Sequence, residues 1–283
     1  METSDKRLDL YCAEIFGLTR NLAQRLIKEG RILVNGNTEN SKYQVKIGDN
    51  IIYTNEVFSN TVPQIPILYE DDSLFLINKP TGISVHPSSG DKDITLTEVF
   101  SAKIYDPTQP ERPGVVHRLD KGTSGVMIFA KNPISRVFLQ KQFKSRKVKK
   151  TYIALVEGRL DPTEGVIDIP IMRDQKRRSK MTVSAIGRES RTNYKVISYF
   201  NDYSFVEVKP FTGRTHQIRI HFSAIGNPIV GDIKYGCKSD IINRIFLHSA
   251  RIEFVHPTTK EKVFFEAEIP KELKDVLKDL GDI

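Results

Sequence analysis

The densest group of reactive side chains lies between Gly114 and Gly125. There Gly-Val-Val-His-Arg-Leu-Asp-Lys-Gly-Thr-Ser-Gly brings His117, Arg118, Asp120, Lys121, Thr123 and Ser124 together in one short stretch. Two apolar residues lead in, and an apolar run from Val126 to Ala130 leads out. Polar groups at a turn between two buried strands sit at a sheet edge or cleft, where sites tend to form. Taken alone, a loop aspartate such as Asp120 more often stabilises a turn than performs chemistry.

A second group is basic. Lys144, Arg146, Lys147, Lys149 and Lys150 crowd into one segment that runs directly into Tyr152. The chain carries 43 Lys and Arg against 35 Asp and Glu, a formal charge of +8. Such an excess attracts polyanions, although a solvated surface accounts for a basic total equally well. Adjacency to an aromatic residue favours RNA contact for Lys144–Lys150. A further cluster, Lys176-Arg-Arg-Ser-Lys180, is open to either reading. Trp is absent, so Phe and Tyr must supply any stacking. His117, His216 and His221 are assigned no acid–base role, since histidines in such settings are as often scaffold. The two cysteines, Cys12 and Cys237, are far apart and form no CxxC or Cys/His cluster, so no metal site is expected. One disulfide is possible on paper, but reduced thiols in a cytoplasmic protein are the simpler view. The charged N-terminus is no secretory signal, and no stretch approaches the roughly 18 apolar residues of a membrane span. A cytoplasmic monomer without membrane contact is expected.

Two independently patterned units must position these groups. In the first, Leu8, Tyr11, Cys12, Ile15 and Phe16 recur at helical spacing before Gly17. Thr19 caps a second helix with Leu22, Ala23, Leu26 and Ile27 on one face, and with Arg20, Arg25 and Lys28 on the other, until Gly30. Ile32–Val34, an Asn35-Gly36 turn and a strand at 51–53 complete the unit. Residues 55–66, with Pro63 and Pro66, read as a linker. We therefore expect domains at 1–60 and 61–283. In the second, strands are predicted at 73–79, 126–130, 151–157, 192–200 and 203–210, and a hairpin at 245–255 and 262–269. Helices are predicted from Pro133 to about Arg146, from Thr215 to Ile225 and at the C-terminus. Strands and helices mix without strict βαβ alternation, which makes the larger domain α+β.

These segments also carry a resemblance. Residues 114–125 resemble the HRLDxxTSG motif of RluA-type pseudouridine synthases, with the motif aspartate at Asp120. In the expected order come Ile77-Asn-Lys-Pro-Thr-Gly82 with Val85-His-Pro87, Lys150-Thr-Tyr-Ile-Ala154, Gly213-Arg-Thr-His-Gln-Ile-Arg219, Pro228-Ile-Val-Gly-Asp232 with Tyr235-Gly236, and Leu247-His-Ser-Ala250. Residues 6–54 are similar to the small RNA-binding domain named after ribosomal protein S-four, through Arg7-Leu8-Asp9, Thr19-Arg20, Ala23, Leu26-Ile27, Gly30 and Val34-Asn35-Gly36. The resemblance implies a mixed, mainly antiparallel sheet for the catalytic domain, preceded by a small α/β RNA-binding domain. It implies Asp120 as the catalytic carboxylate and Tyr152 as a platform for the flipped base. It further implies Arg214 as the ion-pair partner of Asp120, and Arg118 as a group filling the space that the base vacates.

Making pseudouridine breaks the bond from ribose C1′ to uracil N1, turns the base and joins C5 to C1′. Atoms and electrons balance, so no cofactor is expected. Asp120 could attack C1′, add to the ring or take a ribose proton, and residue types leave all three open. A base-excising N-glycosylase and a non-catalytic RNA-binding protein are the rival readings. Hydrolysis usually needs a second carboxylate, for which Asp232 is the motif-borne candidate. Large-subunit ribosomal RNA is the first expected partner and transfer RNA the second.

Overall fold

The computed structural model describes residues 6–53, 64–87, 93–110, 112–177, 179–236 and 238–281. The expected domain boundary at residue 60, most of the linker reading and Cys237 lie outside them. The chain divides into two units: Met1–Gln64 with Ser84–Val115 and Lys131–Pro133, and Ile65–Ile83 with Val116–Ala130 and Ile134–Ile283.

In the first unit, helix Leu8–Ile15 packs on helix Arg20–Lys28. The Thr19 hydroxyl accepts the Leu22 N–H at 3.2 Å, satisfying one orphan donor of the second helix. Leu22, Ala23, Leu26 and Ile27 bury against Leu8, Cys12, Ile32, Val34 and Val45. Asn35 and Gly36 both take positive φ, +52° and +81°, as a two-residue hairpin requires. Their turn joins strand Ile32–Val34 to Asn37–Thr38, and Ile51–Tyr53 pairs on the other side. Asp9 is fully buried and accepts from Arg7, Arg20 and Gln24. The short helix Leu96–Val99 also belongs to this unit and carries too few residues to show a period.

The second unit is built on one nine-stranded sheet. Its main path runs Glu164–Asp168, Arg191–Phe200, Tyr203–Pro210, Lys149–Glu157, Leu247–Val255, Ser124–Ala130, Leu74–Lys79 and Ile67–Glu70, and Lys262–Glu266 pairs with Leu247–Val255. Only Leu247–Val255 against Ser124–Ala130 is parallel, so the sheet is mixed and mainly antiparallel. Helices Pro133–Lys144, Gln217–Ala224 and Lys271–Asp279 accompany it. Leu74, Leu76, Val126, Ile128, Leu139, Ile252 and Phe254 share one core cluster. The sequence pattern missed Ile67–Glu70 and Glu164–Asp168. Both lie at the ends of the sheet path with mostly unburied side chains, so little hydrophobic alternation marks them. It also missed the small hairpin Ile171–Arg173 with Met181–Val183, whose connection carries the Lys176–Lys180 cluster.

Candidate active site

Asp120 lies in the loop before strand Ser124–Ala130, and that loop is held by side chains beneath it. The buried Lys79 ammonium donates to the carbonyls of Pro80 (2.9 Å), Lys121 (3.2 Å) and Thr123 (2.8 Å). Burial, aided by the Arg244 charge and opposed by Asp120, pulls Lys79 down to about 7. Thr81 donates to the Gly122 carbonyl, and Arg244 donates to the Ser124 hydroxyl at 2.7 Å. Gly125 has φ +117°, and a Cβ there would stand 2.2 Å from the Ser249 carbonyl oxygen. Only glycine permits that approach, which brings strand Ser124–Ala130 against Leu247–Val255. Ser249 in turn pairs with Tyr152 on the next strand.

Asp120 opens into a cleft of about 440 Å³, an ordinary size for a small-ligand pocket. Its walls include Arg118, Lys144, Arg146, Lys150, Tyr152, Phe211, Arg214, His216 and Arg219. Asp120 is the single carboxylate among the described residues that line it.

The expected pair between Asp120 and Arg214 is not made. Arg219 Nη1 donates to Asp120 Oδ2 at 3.1 Å. Arg219 also forks onto Asp232, Nε to Oδ2 and Nη2 to Oδ1, each at 2.7 Å. Burial works against the Arg219 charge, but the two carboxylates outweigh it and raise its pKa above the ordinary guanidinium value. Arg214 instead donates its Nε to the Glu189 carbonyl at 3.0 Å. The physical reason is local. Arg219 projects from helix Gln217–Ala224, within reach of the buried Asp232, whereas Arg214 precedes that helix and turns to the cleft edge. Both arginines occur in the heptapeptide 213–219, so the signal was present, but spacing alone does not choose between them.

His216 is a second group that sequence reasoning set aside. It stands in the left-handed region, φ +56°, at the start of that helix, and its Nε2 lies 3.9 Å from Asp120 Oδ2. Its Nδ1 is 2.7 Å from the Tyr235 hydroxyl, which also accepts the Met181 N–H. A hydroxyl that donates to Nδ1 leaves the imidazole hydrogen on Nε2, the ring nitrogen nearer Asp120. Burial lowers His216 to about 4, so the ring is neutral near pH 7. His117 and His221 are scaffold. His117 accepts the Ile128 N–H and stacks on Phe143, and His221 bonds to Thr192 and the Ile169 carbonyl.

Tyr152 is buried to 8% exposure on the cleft wall. Burial pushes its phenol up to about 12, with the Asp120 charge adding to this and a hydrogen bond with Ser249 opposing it. The basic segment does not act as a block. Lys144 and Arg146 reach the cleft edge, while Lys150 turns inward to the Thr212 carbonyl and burial lowers it to about 8. Lys147 and Lys149 are exposed and lie away from the cleft lining. On the first unit, Arg20 pairs with Asp9, Arg25 faces Glu29 and Glu98, and Lys28 is exposed.

Comparison with known proteins bears on this arrangement. Residues 73–224 match the family described as RNA pseudouridylate synthase, and residues 6–51 match the S4 domain. An uncharacterized RNA pseudouridine synthase of Bacillus subtilis (strain 168) is 36% identical over 290 residues, covering 99% of this chain and 95% of that one. The ribosomal large subunit pseudouridine synthase D of Buchnera aphidicola subsp. Schizaphis graminum is 34% identical, covering 98% of this chain and 95% of that one. Among solved structures, human RNA pseudouridylate synthase domain containing 4 superimposes with a TM-score of 0.61 at 27% identity, over 76% of this chain and 92% of that one.

Proposed function

The chain belongs to the RNA pseudouridylate synthase family and is an RNA pseudouridine synthase, and from that premise we propose that Asp120 is its catalytic carboxylate and large-subunit ribosomal RNA its substrate. The observation that carries the first part is that Asp120 is the one carboxylate among the described residues of the cleft, held by Arg219. Tyr152 offers a flat face for the extruded uracil while it turns, and Arg118 is exposed on the wall, where it can enter the space that the base leaves. The C1′–N1 bond breaks and the C5–C1′ bond forms. The hydrogen lost from C5 is balanced by one gained at N1. Nothing is oxidised or reduced, so the reaction needs no cofactor.

A hydrolytic glycosylase is disfavoured. Its second carboxylate would have to be Asp232, which is 1% exposed and locked in the fork with Arg219. The ribosomal target is supported by the name of the Buchnera relative and by the S4-type unit, whose Arg20, Arg25 and Lys28 we assign to RNA phosphates together with Lys144, Arg146, Lys147 and Lys149 of the catalytic unit, while Lys150, turned to the Thr212 carbonyl, lines the cleft. Transfer RNA is the alternative substrate. Asp120→Asn should abolish tritium release from C5-labelled uridine RNA while leaving RNA binding nearly intact, and substantial turnover by that variant would remove Asp120 from the chemistry. Mapping pseudouridine in ribosomal and transfer RNA from cells with and without the protein tests the target.

A further inference from the structure

Arg146 occupies a position where an arginine is an expensive choice. Helix Pro133–Lys144 ends with the Lys147 N–H bonded to the Gln142 carbonyl (2.9 Å) and the Arg146 N–H to the Phe143 carbonyl (3.2 Å). This pair of bonds places a left-handed residue just past the helix end, normally glycine. Arg146 takes that conformation, φ +59°, against the strain that a Cβ imposes there. Its guanidinium lies 4.9 Å above the ring of Phe211, which is 49% exposed at the cleft. The same guanidinium forks onto Glu189, Nη1 to Oε1 at 3.1 Å and Nη2 to Oε2 at 2.9 Å. Glu189 also anchors Arg214 through its main-chain carbonyl.

A planar fork that faces two carboxylate oxygens fits two phosphate oxygens equally well. An ion pair whose carboxylate side chain is 60% exposed is weak and readily exchanged. We propose that Arg146, backed by Phe211, is a binding site for a phosphate of the RNA strand beside the reacting nucleotide, and that the Glu189 carboxylate is its placeholder in the free enzyme. Glu189 keeps the guanidinium aimed at the cleft edge, and the incoming phosphate displaces it. The inference rests on the cleft being the RNA site.

The test is a titration of substrate RNA against salt, with pseudouridine formation by the parent enzyme measured first. Glu189→Gln keeps the main-chain anchor of Arg214 and should tighten binding about two- to fivefold. Arg146→Gly installs the residue that the helix end prefers, so the fold is kept. It should weaken binding and remove roughly 0.7–0.9 from the slope of log affinity against log salt. In the Arg146→Gly background, Glu189→Gln should gain nothing. Weaker binding by Glu189→Gln, an equal gain without Arg146, or unchanged affinity in Arg146→Gly would each overturn the proposal. An enzyme that forms pseudouridine yet shows one of these results loses the placeholder alone. One that neither binds nor modifies RNA loses the broader reading as well.

Discussion

Asp120 presents its two oxygens unequally. Oδ2 takes the Arg219 hydrogen bond and faces His216, whereas no partner among the described residues holds Oδ1. Tyr152 divides its functions in a testable way. A phenol pushed up to about 12 keeps its proton near neutral pH and is a poor base, so the role proposed for Tyr152 falls to its ring. Stacking of a base on an aromatic is worth about 1–3 kcal/mol, or roughly tenfold to a hundredfold in rate if lost. In single-turnover assays at saturating enzyme, Tyr152→Phe should retain more activity than Tyr152→Leu, with both variants folded. Equal loss would make the hydroxyl essential. At this scale the meeting of Asp120 and Tyr152 on one cleft was legible in the sequence, because each stands once within a distinctive motif. Arg219 was not, because the choice between it and Arg214 depends on which one reaches the buried Asp232, a contact between separate segments.

Among the elements, the two helices of the small unit are tied by Asp9. Burial works to raise its carboxyl, but hydrogen bonds from Gln24, Arg7 and Arg20 outweigh this and hold it below the usual 3.8. As pH falls, the unfolded chain takes up this proton before the native one, so the contribution is complete above about pH 4 and drains away below it. Acid unfolding of the parent protein, followed by hydrogen exchange in residues 8–28, should therefore steepen below pH 4. In Asp9→Asn the unit should be weaker at pH 7 and less sensitive to acid. An unchanged acid response would mean that Asp9 titrates alike in both states. Caps, glycine stops and the Asn35-Gly36 turn made these helices and their hairpin readable, because each is a local device. The end strands at 67–70 and 164–168 depend on pairing with distant partners, so their own residues announce little.

Across the whole molecule, the strand that joins the site is Leu247–Val255. It lies between Lys149–Glu157, which bears Tyr152, and Ser124–Ala130, which follows Asp120, and Gly125 allows it to approach. A chain cut after residue 240 is expected to lose isomerisation and the cooperative melt of the catalytic unit by circular dichroism. An active truncated chain would show that Asp120 and Tyr152 can be seated without it. The order of synthesis gives this strand a temporal meaning. Both residues leave the ribosome well before the strand that brings them together, and such long-range pairing waits on chain entropy as well as on translation. A half-made chain can therefore fold its small unit before the strand between Asp120 and Tyr152 has emerged, and isomerisation by ribosome-bound chains is expected only once residues 247–255 are free to pair.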